Sequence, residues 1–303
     1  MRTPRPSRRS MITGLAASTV LPLLGADAQP RLLLCGGSVV YDAALAGTPD
    51  SLRWEDIREW NPAQSKGLPP GYAAKLFQST DDCKAIDKGA NVLVTSSAGA
   101  VAIYERNSGA ATFFAQVPNA HSACMLPGGH IVVASSVSAE GNALVLFHRA
   151  SSERALFRTP LESAHGVVWD EARKTLYALG MESLEEYAFS PGEAKPLKRT
   201  HRTDLPTRGG HELSPTNAEN ELIVTTEHGV YRVDKTTRAF SSHPVLGSQL
   251  NVKCVSTHPR TGRVAYVKAD EGPGVWWSSQ LRFLDPQGSI ETPGQRLYKV
   301  RWA

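Results

Sequence analysis

The 303-residue chain has no apolar run able to cross a bilayer as a helix, which needs about 20 residues. Its candidate stretch, Met11 to Leu24, is too short and is interrupted by Pro22. Stable membrane insertion is not expected. There is no glycine-rich nucleotide loop and no nucleophile elbow, so the sequence signatures of dinucleotide enzymes and of serine hydrolases are both missing. Cysteine is scarce: Cys35, Cys83, Cys124 and Cys254 match no zinc-motif spacing. A strong charge excess is also missing. The 33 basic and 29 acidic residues give +4, and residues 1–28 contain four of the arginines and one acid, leaving +1 for the remainder. The sequence pI near 8.9 is therefore no sign of nucleic-acid binding. With 41% hydrophobic and 20% charged residues, wholesale disorder is excluded.

Residues 1–28 read as a twin-arginine-type signal peptide. Ser7-Arg8-Arg9-Ser10 leads into the apolar stretch, and Ala26-Asp27-Ala28 offers a small-x-small cleavage site. The expected location is periplasmic or secreted, with residues 31–303 forming one domain. An exported chain could pair its cysteines, Cys35 with Cys83 for example, and the sequence leaves connectivity open. Leu34-Cys35-Gly36 lacks the small residue that precedes a lipidated cysteine.

What is present is a repeat. Five segments share one plan: a short strand, a polar turn, then a β-branched strand. They begin around Cys83, His121, His165, His211 and Lys253, spaced 38, 44, 46 and 42 residues apart. Periods of about 40–45 residues characterise propeller blades of four strands. Further β-rich runs follow each pair, such as Val101-Ala102-Ile103-Tyr104 with Thr112-Phe113-Phe114-Ala115. The chain ends on a lone inner strand, Leu297 to Trp302, 46 residues on at Lys299. It opens with three strands, around Leu32, Val39 and Leu52, that lack an inner partner. Joining the two ends completes a blade and removes the open sheet edges. The expected fold is an all-β, six-bladed propeller, with seven blades the alternative. Residues 60–80, rich in Pro and Gly, are read as an excursion between blades.

His121, His165 and His211 each start an inner strand on consecutive blades, so ring closure should gather them at the channel mouth. Three imidazoles are a common way to hold one divalent ion, here zinc, manganese, nickel or iron, with a position open for water or substrate. Glu227 is the expected fourth ligand, with His228 beside it as a ligand or base. Glu212, directly after His211, should point the other way on an extended strand. Lys253 and Lys299 complete the ring with Cys83. With Arg296 nearby they read as an anion-binding arc, and a lysine here could act as a base. Trp276 and Trp277 suit stacking on sugar rings, and Asp82 is a further substrate contact.

The repeat plan resembles exported propellers of the YncE-like and gluconolactonase-like type. Asn119-Ala120-His121, Ser163-Ala164-His165 and Gly209-Gly210-His211 resemble the metal site of oligogalacturonate lyases. The resemblance implies a metal-dependent enzyme acting on an anionic sugar by β-elimination. His121, His165 and His211 would hold the ion, and Lys253, Lys299 or His228 would take the proton. The second reading is a propeller that binds without catalysis. The expected partner is a small molecule or oligosaccharide, bound by a monomer.

Overall fold

The protein is described by a computed structural model, which covers Met1 and residues 29–303 other than Gln295. The signal-peptide reading of residues 1–28 lies almost entirely outside the described residues. The chain forms a six-bladed β-propeller. β1 (Arg31–Cys35), β2 (Val40–Ala46) and β3 (Arg53–Trp60) form the outer part of blade 1. A short α1 (Tyr72–Leu76) precedes blade 2, built from β4 (Thr80–Ile86), β5 (Asn91–Ser96), β6 (Ala100–Glu105) and β7 (Ala111–Gln116). Blade 3 is β8 (Ala120–Leu126), β9 (His130–Ser135), β10 (Ala143–His148) and β11 (Phe157–Pro160). Blade 4 is β12 (Gly166–Asp170), β13 (Thr175–Leu179), β14 (Ser183–Phe189) and β15 (Leu197–Asp204). Blade 5 is β16 (Glu212–Pro215), β17 (Glu221–Thr225), β18 (Val230–Asp234) and β19 (Phe240–Ser242). Blade 6 is β20 (Val252–Thr257), β21 (Val264–Lys268), β22 (Gln280–Leu284) and β23 (Gly288–Glu291).

The last strand, β24 (Lys299–Trp302), pairs antiparallel with β1 and completes blade 1 as its innermost strand. The expected closure is therefore observed. The inner strands β4, β8, β12, β16, β20 and β24 pack in a closed cycle around the channel. The excursion before blade 2 folds back on its neighbours: the Tyr72 ring meets Phe114 edge-on at 5.2 Å, and Phe77 is fully buried. No helix among the described residues is long and apolar enough to cross a membrane.

Hydrophobicity explains this arrangement. The second strands read as nearly continuous apolar runs, such as Val92-Leu93-Val94 and Ile131-Val132-Val133-Ala134, and these residues are buried. A strand covered on both faces has no polar side to present. The described residues form six apolar clusters, one between each pair of neighbouring blades, including the blade 6–blade 1 and blade 1–blade 2 pairs. Outermost strands are different: β15 is exposed along most of its length.

Blades 4 and 5 approach closely at Gly166. A Cβ there would lie 2.6 Å from Leu213 Cβ and 3.0 Å from its backbone nitrogen. Gly166→Ala is expected to destabilise the protein by about 1–3 kcal/mol through overpacking. Urea denaturation would measure this, and an unchanged midpoint would contradict the close approach.

One local feature repeats in every blade. In β4, β8 and β20 the pairing register slips at Asp81, His121 and Lys253, so two residues face one partner. In the other three blades His165, His211 and Tyr298 donate their backbone N–H to Leu179, Thr225 and Cys35. Those same residues pair with Gly166, Glu212 and Lys299. Each inner strand thus opens with a bulge, which re-aims side chains at its rim.

The bulge corrects two sequence equivalences. The ring partners of the histidines are Asp81 and Tyr298, not Cys83 and Lys299. Cys83 is fully buried in the apolar cluster between blades 1 and 2. All four cysteines are free and buried. Glu212 does not turn out of the channel as extended geometry predicts. It is fully buried and paired with Arg301 of β24.

Candidate functional site

Asp81, His121, His165, His211, Lys253 and Tyr298, the six bulge residues, line one cavity of about 340 Å³ at the channel mouth. Ser97, Asn119 and Trp276 complete its wall. The convergence expected of the three histidines is met. The imidazole centroids of His121 and His165 lie 4.1 Å apart, and those of His165 and His211 lie 5.5 Å apart.

The chain enters each bulge through a repeated turn. Asn119, Ser163, Gly209 and Asn251, each two residues before a ring residue, have φ of 49°, 46°, 86° and 58°. Asn and Gly accept this left-handed conformation most readily. The turn sets two imidazoles. His121 Nδ1 donates to the Asn119 carbonyl at 3.1 Å, and His165 Nδ1 donates to the Ser163 carbonyl at 3.2 Å. With Nδ1 carrying the proton, each neutral ring keeps its lone pair on Nε2. The third ring differs. His211 Nε2 accepts from Lys253 Nζ at 3.0 Å, while its Nδ1 is buried with no partner.

Burial sets the protonation states. It holds His121 below the usual histidine range, and His165 and His211 well below it, with neighbouring positive groups adding to the effect. Burial also lowers Lys253, with the Glu227 carboxylate opposing, and keeps the Tyr298 hydroxyl protonated. Asp81 is 2% exposed, and burial raises its carboxyl above the ordinary value. Its Oδ2 accepts from the Ser97 N–H at 2.6 Å, and its Oδ1 lies 3.7 Å from His121 Nε2.

Beneath the ring, the next channel-facing residues form a buried ion network. Arg301 donates to both Glu212 oxygens at 3.0 Å and lies 2.9 Å from Asp82 Oδ1. Lys84 Nζ sits 3.2 Å from Asp82 Oδ2 and donates to Ser122 Oγ at 3.0 Å. Lys299 is fully buried, its Nζ 3.6 Å from Glu212 Oε2 and without a hydrogen-bond partner. Burial works against its charge, but Glu212 and Asp82 outweigh it, so Lys299 stays an ammonium. The same network holds Asp82 ionised: burial opposes, and Arg301 and Lys84 prevail.

Several expected site residues stand elsewhere. Asp82 and Lys299 belong to this sealed layer and do not line the cavity. Trp276 does line it, edge-on to Tyr298 at 5.1 Å. Trp277 turns away and carries the Arg296 guanidinium on its face at 4.3 Å. Arg296 is therefore occupied outside the cavity. Glu227 and His228 are exposed, 4.0 Å apart, and neither lines the wall.

The donor set does not fit a resident divalent ion as arranged. Among the described residues no group of three or more His, Cys, Asp or Glu side chains is placed to hold one. The reason is visible. Lys253 occupies the His211 lone pair a metal would need, and the Lys299 ammonium lies beneath the ring.

Sequence reasoning missed Asp81 and Tyr298. The available signal was the left-handed residue two positions before a ring residue, in Asn119-Ala120-His121, Ser163-Ala164-His165, Gly209-Gly210-His211 and Asn251-Val252-Lys253. Blades 1 and 2 lack it, so their register shows only in three dimensions.

No curated protein matches the chain. Residues 48–303 match a family described as one of unknown function, spanning nearly the whole propeller, and the chain belongs to that family, DUF6528.

Proposed function

We propose that the mouth cavity binds a carbohydrate bearing a carboxylate and cleaves it by β-elimination. The observation that carries this reading is the hydrogen bond from Lys253 Nζ to His211 Nε2, in a cavity walled by Trp276 and Tyr298. Aromatic faces and edges suit the apolar side of a sugar ring.

Each group then has a role. Lys253, its pKa lowered by burial, is the base once it has lost its proton. It takes the hydrogen on the carbon next to the carboxylate. The electron pair left behind forms the new carbon–carbon double bond, and the bond to the glycosidic oxygen breaks. Tyr298, kept protonated by burial, gives its proton to that leaving oxygen. His211 holds Lys253 in place.

The test uses uronate oligosaccharides and the absorbance of the unsaturated product. Wild-type protein should form product, faster as pH rises and Lys253 loses its proton. Lys253→Met should lower turnover by about 100-fold. Binding without product would reduce the site to a recognition module. No binding of any uronate would end the carbohydrate reading.

A further inference from the structure

We infer that the cavity floor is an anion seat and not a cation site: buried Lys299 beneath the imidazoles supplies a permanent positive charge, and Lys253 and Tyr298 offer the donors to a carboxylate. This rests on the proposed ligand class in one respect, that the anion is part of a sugar.

Lys299 is 0% exposed, and its Nζ makes no hydrogen bond. Buried polar groups are nearly always paired, and exceptions call for an explanation. Glu212 at 3.6 Å offsets the charge, but that carboxylate already accepts two bonds from Arg301. In the sealed layer, Lys84, Lys299 and Arg301 face Asp82 and Glu212, an excess of one positive charge. Asp81, in the cavity wall, is offset by Lys299 and by His121 at 3.7 Å, and the Glu227 carboxylate offsets Lys253. The charge of Lys299 is also among the causes that keep His121, His165 and His211 neutral.

A dication entering this floor would meet the Lys299 ammonium in a poorly screened setting, where charge interactions are strong. It would also have to displace Lys253 from His211. An anion meets the opposite field. Lys253 and the Tyr298 hydroxyl can donate to it, and neutral imidazoles do not repel it. Charge-assisted bonds of this type are the stronger class of hydrogen bond.

Calorimetric titration decides the matter with four probes: galacturonate, galactose, acetate and nickel ion. The expected result is saturable binding of galacturonate and acetate at millimolar concentration, weakened tenfold or more in Lys299→Met, with no nickel binding. Circular dichroism would confirm that Lys299→Met is folded, and Lys253→Gln provides a second variant with the same expected loss. Acetate binding without galacturonate binding would keep the seat and end the carbohydrate reading. Equal affinity for galactose and galacturonate, or no anion binding at all, would overturn the seat. So would micromolar nickel binding that disappears when His121, His165 and His211 are all changed to alanine.

Discussion

Glu212→Ala is expected to remove about 3–5 kcal/mol of stability, because breaking a buried ion pair from one side leaves its partner charged and unsolvated. Here two partners are stranded. Arg301 loses both of its bonds to the Glu212 oxygens, and Lys299 loses its nearest carboxylate. Asp82 remains on Arg301, yet it is shared with Lys84. The effect also bears on closure. Arg301 and Lys299 belong to β24, the strand that completes blade 1, whereas Glu212 belongs to blade 5 and Asp82 to blade 2. The network therefore ties the closing strand to blades on either side of it. Urea denaturation of Glu212→Ala gives the cost. The double variant Glu212→Ala with Arg301→Met should recover part of it, since replacing both charges by apolar groups removes the stranded guanidinium. A loss below about 1 kcal/mol, the range of an exposed pair, would show that the network is solvated and does not pin the ring.

Acid should unfold the protein well before its carboxylates titrate. An unfolded histidine has a pKa of about 6.5. Burial first, and neighbouring imidazoles and lysines after it, hold His165 and His211 well below that value; burial holds His121 below it against the opposing Asp81 carboxylate. As pH falls below about 6.5 the unfolded chain takes up protons that the folded ring refuses. Stability is therefore full above that pH and is lost as pH falls toward the folded values. Each withheld proton contributes about 1.4 kcal/mol per pH unit, so three give a slope of about 4 kcal/mol per unit at most. Buried His243, also lowered, adds in the same direction. Asp81 works against it, since burial raises its carboxyl and the folded state binds that proton more readily. Lys299 remains charged throughout this range and adds to the penalty on the imidazoles. Urea midpoints at about pH 7.5 and about pH 5 measure the slope. Changing all three ring histidines to asparagine should flatten it. An unaltered slope would mean that the ring imidazoles protonate freely in the folded protein.

The architecture was legible because it rests on patterns that sequence carries directly. A period near 40–45 residues is written in the spacing of His121, His165, His211 and Lys253. The blade count followed from the period, and the closure followed from a lone inner strand at Leu297 to Trp302. Both depend on the recurrence of apolar strand runs and on the penalty for open sheet edges. The gathering of three histidines needed only their common place in the repeat.

The site's chemistry was not legible to the same degree. A single-residue bulge at the start of each inner strand decides which side chain enters the channel. Hydrophobic pattern aligns the apolar residues that follow and is blind to one inserted position, because a one-residue slip exchanges the faces of a strand. That is why Cys83 and Lys299 stood in for Asp81 and Tyr298, and why Glu212 looked as if it pointed away. The sequence by itself determined the propeller, its closure and a histidine-lined mouth. The tertiary structure decided what the mouth contains: Lys253 on the His211 lone pair, Tyr298 and Trp276 on the wall, and a charged layer sealed below. The Lys253–His211 and Arg301–Glu212 contacts join residues 42 and 89 positions apart, and only packing of the blades around a common axis sets their distances.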